Sequence, residues 1–167
     1  MTALGLGRFA LQTTSGIPCR IERSRELRRV PYVTVVILCY NYGCYLADAI
    51  CSVLSQESVS VQVVVVDDAS TDDSGAIAQG FADADQRVTL IAFDRNQGPV
   101  RAFNEGLLAV RGEYLVRLDA DDMLTLGALK RAVALMEHHP DVGIVYAHPY
   151  HFSGENSQRL AGEREAT

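Results

Sequence analysis

Short apolar runs alternate with segments of helical periodicity along most of this sequence, and this alternation constrains the fold more than any other feature. Runs rich in Val, Ile and Leu predict β-strands at 33–39, 61–66, 88–92, 114–118 and 142–146. Apolar residues at helical spacing predict helices at 45–56, at 74–82, from Pro99 to just before Gly112, and at 126–138. This order favours an α/β fold with a mostly parallel sheet, right-handed crossovers and flanking helices.

Residues with strong preferences at helix ends set the predicted helix boundaries. Pro99 suits the first turn of the third helix, and Gly112 is predicted to end it. Thr125 is predicted to cap the fourth helix, which His139 and Pro140 then close.

The composition is that of one globular domain. The chain has 167 residues, of which 48% are hydrophobic and 22% charged. That is enough for a core and too little for two ordinary domains. We expect the domain at 30–152, after a flexible basic leader at 1–29 and before a polar tail at 153–167.

Charge is distributed unevenly along the chain. The first 29 residues hold six of the 15 basic residues and two of the 21 acidic ones, so nine basic and nineteen acidic residues remain in the rest. This acidic body argues against nucleic acid as a ligand, because phosphate backbones need clustered Lys and Arg. A divalent cation is a more suitable ligand for an acidic domain. The Arg-rich stretch at 20–29 is either a solvated tail or short helix, or a contact for an acidic membrane surface.

The four cysteines, Cys19, Cys39, Cys44 and Cys51, lack the spacing of a zinc site and are predicted to be reduced thiols in the core or on helix faces. The sequence shows no secretory signal and no apolar run near the ~20 residues that a membrane span requires. Together these features indicate a cytoplasmic protein, with membrane association through a partner left open.

Two acidic clusters directly follow predicted strands. Asp67 and Asp68 follow the second strand, and Asp119, Asp121 and Asp122 follow the fourth. Ligands of open α/β sheets bind beyond the carboxyl ends of the strands, so we expect both clusters to face one cleft. Turn formation or helix capping explains neighbouring acidic residues such as Asp72 and Asp73, but not the density of the second cluster.

The second cluster predicts a divalent metal site. Three carboxylates within four positions repel one another unless a cation compensates them. Oxygen ligands of this kind select Mg²⁺ or Mn²⁺, whose remaining coordination positions are filled by water and a diphosphate. The metal would neutralise charge on a leaving nucleoside diphosphate.

Four ordered segments carry a resemblance to a known family. They read VTVVILCYNYGCYLADAICSVLSQ, VVVVDDASTDDSG, RNQGPVRAFNEGLLAVRGEYLVRLDADD and VGIVYA, and they span about 32–152. In order and spacing they resemble the donor-binding half of family 2 glycosyltransferases. The resemblance implies a Rossmann-like GT-A fold, an inverting metal-dependent sugar transfer and a nucleotide-sugar donor, usually a UDP-sugar.

The resemblance also implies roles for particular residues. Tyr40 would stack on the nucleotide base, with Asn41 in the same loop beside base and ribose, and Asp68 would hydrogen-bond the base. Asp119 would hold the ribose or the metal-bound diphosphate. Asp121 would be the main metal ligand, with Asp122 as a third member of the metal set.

A pattern of Asn96, Gly98, Arg101 and Asn104 matches a family segment that lies beside the donor. Arg101 would approach the phosphates, or alternatively would be an exposed helical arginine. Asn104 and Gly106 would serve close packing of the helix on the sheet.

The sequence departs from the family pattern in two places. Leu126 stands where the family often has Pro. The family's general base is a carboxylate in its acceptor half, and Glu155, Glu163 and Glu165 lie in the polar tail without the expected strand and helix. We therefore assign no catalytic base and expect the chain to stop before the acceptor half, leaving an open apolar surface that favours dimerisation.

The resemblance implies transfer to a carbohydrate or lipid-linked acceptor, as in the synthesis of cell-surface polysaccharide or glycolipid. A non-catalytic nucleotide-sugar-binding module, or a truncated inactive fragment, is the main alternative. A phosphoacceptor receiver domain is a remote one, because such a domain needs a Lys at the end of its last strand and Lys130 is in a predicted helix.

Overall fold

A four-stranded parallel sheet forms the centre of the fold. The computed structural model describes residues 27 and 29–147, together with the backbone of 11–12 and 18–19. The strands of the sheet are β3 (Tyr32–Cys39), β4 (Ser60–Asp67), β5 (Val88–Ala92) and β6 (Tyr114–Asp119), and their order is β5-β4-β3-β6. Two short strands before them, β1 (Leu11–Gln12) and β2 (Pro18–Cys19), pair antiparallel with each other.

The two central strands are buried on both faces, as their continuous runs of Val and Ile predict. β3 and β4 pair in register from Tyr32 and Ser60 to Cys39 and Asp67. β6 pairs with β3 and forms one edge of the sheet, where buried and exposed side chains alternate more. The four strands predicted between 33 and 118 are therefore present.

Four helices cover the sheet. They are α1 (Gly43–Leu54), α2 (Ser74–Ala84), α3 (Pro99–Leu108) and α4 (Ala128–His138). On the central strands β3 and β4, residues of α1, α2 and α4 pack on odd-numbered residues such as Val35 and Val63. α3 packs on even-numbered ones such as Val36 and Val64. Successive strand residues point to opposite faces, so the sheet has one core layer on each side.

Pro99 occupies the first turn of α3 as predicted, but two other predicted helix ends are wrong. α3 ends at Leu108, before Gly112, and the Gly112 N–H donates to the Thr34 hydroxyl oxygen at 2.8 Å. α4 begins after Gly127, whose left-handed φ of 71° starts the helix two residues after Thr125. Side chains from elsewhere in the fold bind these segments, and local propensity does not report such contacts.

The strand predicted at 142–146 is also wrong. This segment has no ladder with β6, and its first N–H, that of Val142, donates to the His139 carbonyl oxygen at 2.9 Å in a turn. The side chains of Ile144 and Tyr146 are exposed. An apolar run becomes a strand only where a partner strand accepts its backbone hydrogen bonds.

One carboxylate joins the beginnings of two helices. Asp72 Oδ2 accepts the Gly43 N–H at 2.9 Å, and Asp72 Oδ1 accepts the Ser74 N–H at 3.0 Å. The Ser74 hydroxyl also donates to Oδ1, and this bond is the main reason that the pKa of Asp72 lies below its usual value. Asp72 thus supplies an acceptor for the first N–H of both α1 and α2, as the capping explanation expected.

Two residues of the predicted leader contact the folded body. Leu27 packs against the core. Arg29 forms an ion pair with Glu113 and lies 3.9 Å from a carboxylate oxygen of Glu137. The rest of the predicted leader's side chains, and the predicted tail at 153–167, lie outside the described residues.

The thiols of Cys39, Cys44 and Cys51 are free, the first buried and the other two exposed on α1, and the Cys19 side chain lies outside the described residues. Burial raises the pKa of Cys39. In the described part of the chain, no helix has the length and apolar character needed to cross a membrane.

Candidate functional site

A cavity of about 380 Å³ opens at the carboxyl ends of β3, β4 and β6. Its lining includes Tyr40 after β3, Asp68 after β4, and Asp119 and Asp121 at the end of β6. Parallel strands end at the same edge of a sheet, so the topology alone brings these side chains together. Both acidic clusters contribute to one cleft, as expected from their positions after strands.

Asp68 fixes the loop that leads into α3. Its side chain is buried, with Oδ1 accepting the Gln97 N–H at 2.7 Å and Oδ2 accepting the Gly98 N–H at 2.8 Å. Gly98 has φ 85°, a backbone angle that residues other than glycine rarely adopt. Asp68 therefore lines the cavity and also holds one of its walls in place.

Asn96 lies on the wall that Asp68 holds. Its side chain is exposed, it contributes to the cavity, and within the described residues it has no hydrogen-bond partner. An amide offers both donors and an acceptor. The sequence pattern included Asn96 but did not assign it to the site, because the pattern alone does not show that Gly98 and Asp68 turn it toward the cavity.

Asn41 supports the loop that carries Tyr40. Asn41 has φ 59°, and its Oδ1 accepts the Thr71 N–H at 2.7 Å while its own N–H donates to the Ser70 hydroxyl oxygen at 2.9 Å. Tyr40 itself is 44% exposed. The structure thus places Tyr40 on the cavity and Asn41 in the support behind it.

Asp67 is likewise a supporting residue. It is buried, and its Oδ1 accepts both the N–H of Ser70, at 3.2 Å, and the Ser70 hydroxyl. Because the Ser70 hydroxyl oxygen also accepts the Asn41 N–H, Asp67 fixes the residue that holds the Asn41 backbone in place.

The acidic cluster after β6 is asymmetric. Asp119 and Asp121 line the cavity, whereas Asp122 lies outside its lining. Asp119 Oδ1 accepts a hydrogen bond from Arg117 Nη2 at 2.7 Å. Burial raises the pKa of Asp122, the carboxylates of Asp121 and Asp119 raise it further, and Arg117 opposes this shift.

The donor set fits a hard cation that is only partly coordinated by protein. Across residues 27 and 29–147, no three His, Cys, Asp or Glu side chains gather into a metal-holding group. Asp119 and Asp121, which both carry carboxylates, nevertheless line one cavity. Mg²⁺ and similar ions are bound by one or two carboxylates together with water and phosphates, so two such residues suffice.

Arg101 lies away from the cavity lining. It is on the exposed side of α3 and its Nη2 is 3.6 Å from a carboxylate oxygen of Glu105, one helical turn later. This placement matches the alternative of an exposed helical arginine. Asn104 is also exposed, whereas Gly106 packs closely: a Cβ there would lie 2.5 Å from Val36 Cγ1.

Ser52 of α1 and Gln56, two residues after that helix, position the segment after the acidic cluster, and neither was identified from the sequence. Ser52 Oγ accepts the Leu124 N–H at 3.0 Å. Gln56 Nε2 donates to the Thr125 carbonyl oxygen at 3.0 Å, and Gln56 Oε1 accepts the Leu129 N–H at 3.2 Å. The signal was available, since two polar residues four positions apart on the apolar side of a helix indicate buried hydrogen bonds.

The sequence matches the family model described as Glycosyl transferase family 2 over residues 34–166. Among similar proteins, a succinoglycan biosynthesis protein of Rhizobium meliloti, ExoO, is 46% identical over 105 residues, covering 63% of this chain and 30% of the relative.

Solved structures of similar fold include the mannosyltransferase PcManGT from Pyrobaculum calidifontis in complex with GDP-Man and Mn²⁺. It has a TM-score of 0.60 and 28% identity, covering 65% of this chain and 33% of that one. TarS of S. aureus in complex with UDP-GlcNAc has a TM-score of 0.59 and 27% identity, covering 65% of this chain and 32% of that one. The chain therefore spans about a third of the length of ExoO, of PcManGT and of the TarS segment 1–349 that the solved structure contains.

Proposed function

The chain belongs to glycosyl transferase family 2 and has the parallel sheet of the GT-A fold, and on this premise we propose that its cavity binds a nucleotide-sugar donor, with UDP as the nucleotide. The sugar is transferred with inversion to a carbohydrate or lipid-linked acceptor. Family membership removes the receiver-domain alternative, and Lys130 lies in α4 as its sequence position indicated.

One observation carries the proposal: Tyr40, Asp68, Asp119 and Asp121 line the same cavity. In this proposal Tyr40, which is exposed, stacks on the base. Asp68 and Asn96 hydrogen-bond the base edge, Asp68 through lone pairs that remain after its two backbone bonds. Asn41 acts by holding the Tyr40 loop.

The acidic end of the cavity is proposed to bind the diphosphate together with Mn²⁺ or Mg²⁺. Asp121 is the main protein ligand, Asp119 holds the ribose or the metal-bound diphosphate, and Asp122 completes the set from outside the cavity lining. A bound divalent cation supplies positive charge that stabilises the leaving nucleoside diphosphate. Arg101 reaches the phosphates only if it leaves Glu105.

The residues of this chain bind and orient the donor, and the acceptor hydroxyl is deprotonated by a carboxylate that we do not assign. The candidates considered from the sequence, Glu155, Glu163 and Glu165, lie outside the described residues. The similarity to ExoO, a protein of succinoglycan biosynthesis, supports polysaccharide synthesis as the setting.

Calorimetric titration tests the proposal directly. The 167-residue chain is titrated with UDP and, separately, with GDP, in Mn²⁺ and then in EDTA. GDP is included because PcManGT holds GDP-Man whereas TarS holds UDP-GlcNAc. We expect UDP binding in Mn²⁺ that EDTA removes, and preferential binding of GDP would assign the other base.

An Asp121→Asn variant locates the cation. Loss of a group that hydrogen-bonds a metal ligand typically weakens metal binding about 10- to 100-fold, so loss of a direct ligand should lower Mn²⁺-dependent UDP affinity by about 100-fold. Asp141→Asn, which changes an exposed carboxylate after α4, is the matched control. UDP affinity that is equal with Mn²⁺ and with EDTA, or unaffected by Asp121→Asn, would contradict the proposal.

A further inference from the structure

Arg117 and Asp119 form an ion pair at the edge of the cavity. Arg117 Nη2 lies 2.7 Å from Asp119 Oδ1, and the two side chains are 50% and 47% exposed. The residues are two positions apart on β6 with the buried Leu118 between them, so the pleat of the strand places both on the same face. The same carboxylate lines the cavity.

The neighbouring carboxylate differs in its partners. Within the described residues, Asp121 has no hydrogen-bond or ion-pair partner, although it too lines the cavity. Arg117 makes no other hydrogen bond within the described residues, and its side chain is half exposed. An incoming cation therefore meets one free carboxylate and one that already has a positive partner.

We propose that Arg117 is a positioning residue that holds Asp119 in the absence of metal, and that a divalent cation must displace it from Asp119 in order to bind. This inference rests on the proposed function, since it concerns the same metal site. Displacement is an exchange of partners on Oδ1: the cation takes the oxygen, and the guanidinium is released to solvent or to an anionic ligand. A planar guanidinium suits phosphate oxygens, so binding of a diphosphate favours the exchanged state.

The consequence is a site that binds metal weakly alone and more strongly with a nucleoside diphosphate. Breaking the pair opposes metal binding, whereas the released Arg117 adds to diphosphate binding. Exposed ion pairs of this kind change an equilibrium by about two- to fivefold, which sets the size of the expected effect.

The test measures binding of Mn²⁺ without nucleotide, by paramagnetic resonance of free Mn²⁺, for the wild-type chain and for Arg117→Gln. We expect Arg117→Gln to bind Mn²⁺ about two- to fivefold more tightly. The increase should shrink when NaCl is raised from about 0.15 M to about 1 M, where the screening length falls from about 8 Å to about 3 Å, because both side chains of the ion pair are half exposed.

The matched control is Arg87→Gln. Arg87 pairs with Asp85 at the same spacing in sequence and at the same 2.7 Å, before β5 and away from the cavity lining. Its removal should leave Mn²⁺ affinity unchanged. Thermal unfolding of both variants checks that neither result comes from a loss of structure.

Each outcome decides the matter. Unchanged or weaker Mn²⁺ binding by Arg117→Gln overturns the exchange, as does an increase that Arg87→Gln reproduces. If the wild-type chain still shows Mn²⁺-dependent UDP binding in that case, only this inference fails. A wild-type chain that binds Mn²⁺ neither alone nor with UDP overturns the proposed function as well.

Discussion

The two ends of the sheet use polar side chains in opposite ways. At the amino end, Thr34 and Gln62 face each other across β3 and β4, and the Thr34 hydroxyl donates to Gln62 Oε1 at 2.8 Å. Gln62 Nε2 donates to the Ala109 carbonyl oxygen, and the N–H groups of Arg111 and Gly112 bind Gln62 Oε1 and the Thr34 hydroxyl oxygen. Every polar group of this network has a partner.

At the carboxyl end, several polar groups are left available. Asn96 and Asp121 have no partner within the described residues, and Tyr40 exposes its ring to the cavity. Among all the described residues, no buried side-chain nitrogen or oxygen lacks a hydrogen-bond partner. The polar groups without a partner therefore lie at the surface of the cavity or in solvent. One end therefore stabilises the fold, and the other is available for a ligand.

The largest effect is expected from a substitution that disrupts the hydrogen-bond network at the amino end of the sheet. Gln62→Leu removes the acceptor of the Thr34 hydroxyl and the donor to the Ala109 carbonyl, and it leaves the Arg111 N–H with only its 3.3 Å bond to the Thr34 hydroxyl oxygen. Unsatisfied buried groups destabilise by about 1–3 kcal/mol each. We expect the free energy of unfolding in urea to fall by about 3 kcal/mol or more.

The control for this change is Gln79→Leu on the exposed side of α2, which should stay within about 0.5 kcal/mol. At a temperature where Gln62→Leu is folded, its UDP affinity should equal that of the wild type. A parallel loss of affinity would show that the two ends are not independent.

The next effect concerns α3, which begins with Pro99 at the cavity and packs on the sheet through Gly106. A Cβ at Gly106 would lie 2.5 Å from Val36 Cγ1 and 3.2 Å from Val66 Cγ2. Gly106→Ala should therefore destabilise the protein by about 1–3 kcal/mol and weaken UDP binding, because α3 carries part of the cavity wall.

Gly80→Ala is the matched control on α2, where an added Cβ meets nothing within 4 Å. It should raise the free energy of unfolding by about 0.5–1 kcal/mol without changing UDP affinity. Equal effects of the two substitutions in urea unfolding would refute the close packing of α3.

The smallest effect is expected from a substitution that changes only the cavity at the carboxyl end of the sheet. Asn96→Ala removes an unpaired amide and should leave the melting temperature unchanged, while UDP affinity falls by about 1 kcal/mol, or about fivefold. Asn104→Ala, an exposed asparagine outside the cavity lining, should change neither quantity. A drop in the melting temperature of Asn96→Ala would mean that this residue also supports the fold.

The sequence predicted those features that local patterns determine. Apolar runs located the four strands of the sheet, and the strand ends located the carboxylates of Asp68, Asp119 and Asp121 on one cleft. The predicted strand at 142–146 failed because apolar composition does not supply a pairing partner.

Contacts between distant residues were not predictable in the same way. Gln56 binds Thr125 and Leu129, which are 69 and 73 residues away, and these bonds shape the segment that the sequence assigned to a Thr125 cap. The hydrogen bonds from Thr71 to Asn41 and from Arg117 to Asp119 also depend on backbone geometry, which residue types alone do not determine. The roles proposed for the site residues stay predictions until ligand binding is measured.

The carboxylate shared by α1 and α2 makes the rim of this protein's cavity sensitive to acid. Because the pKa of Asp72 is lowered in the folded state, its stabilising contribution is present above the ordinary aspartate range and is lost as the pH falls through the lowered value. Protonation weakens acceptance at the Gly43 and Ser74 N–H groups together, so both helices loosen at the same end. Tyr42 adjoins that end of α1 and lines the cavity, so protonation of Asp72 should loosen this part of the cavity rim.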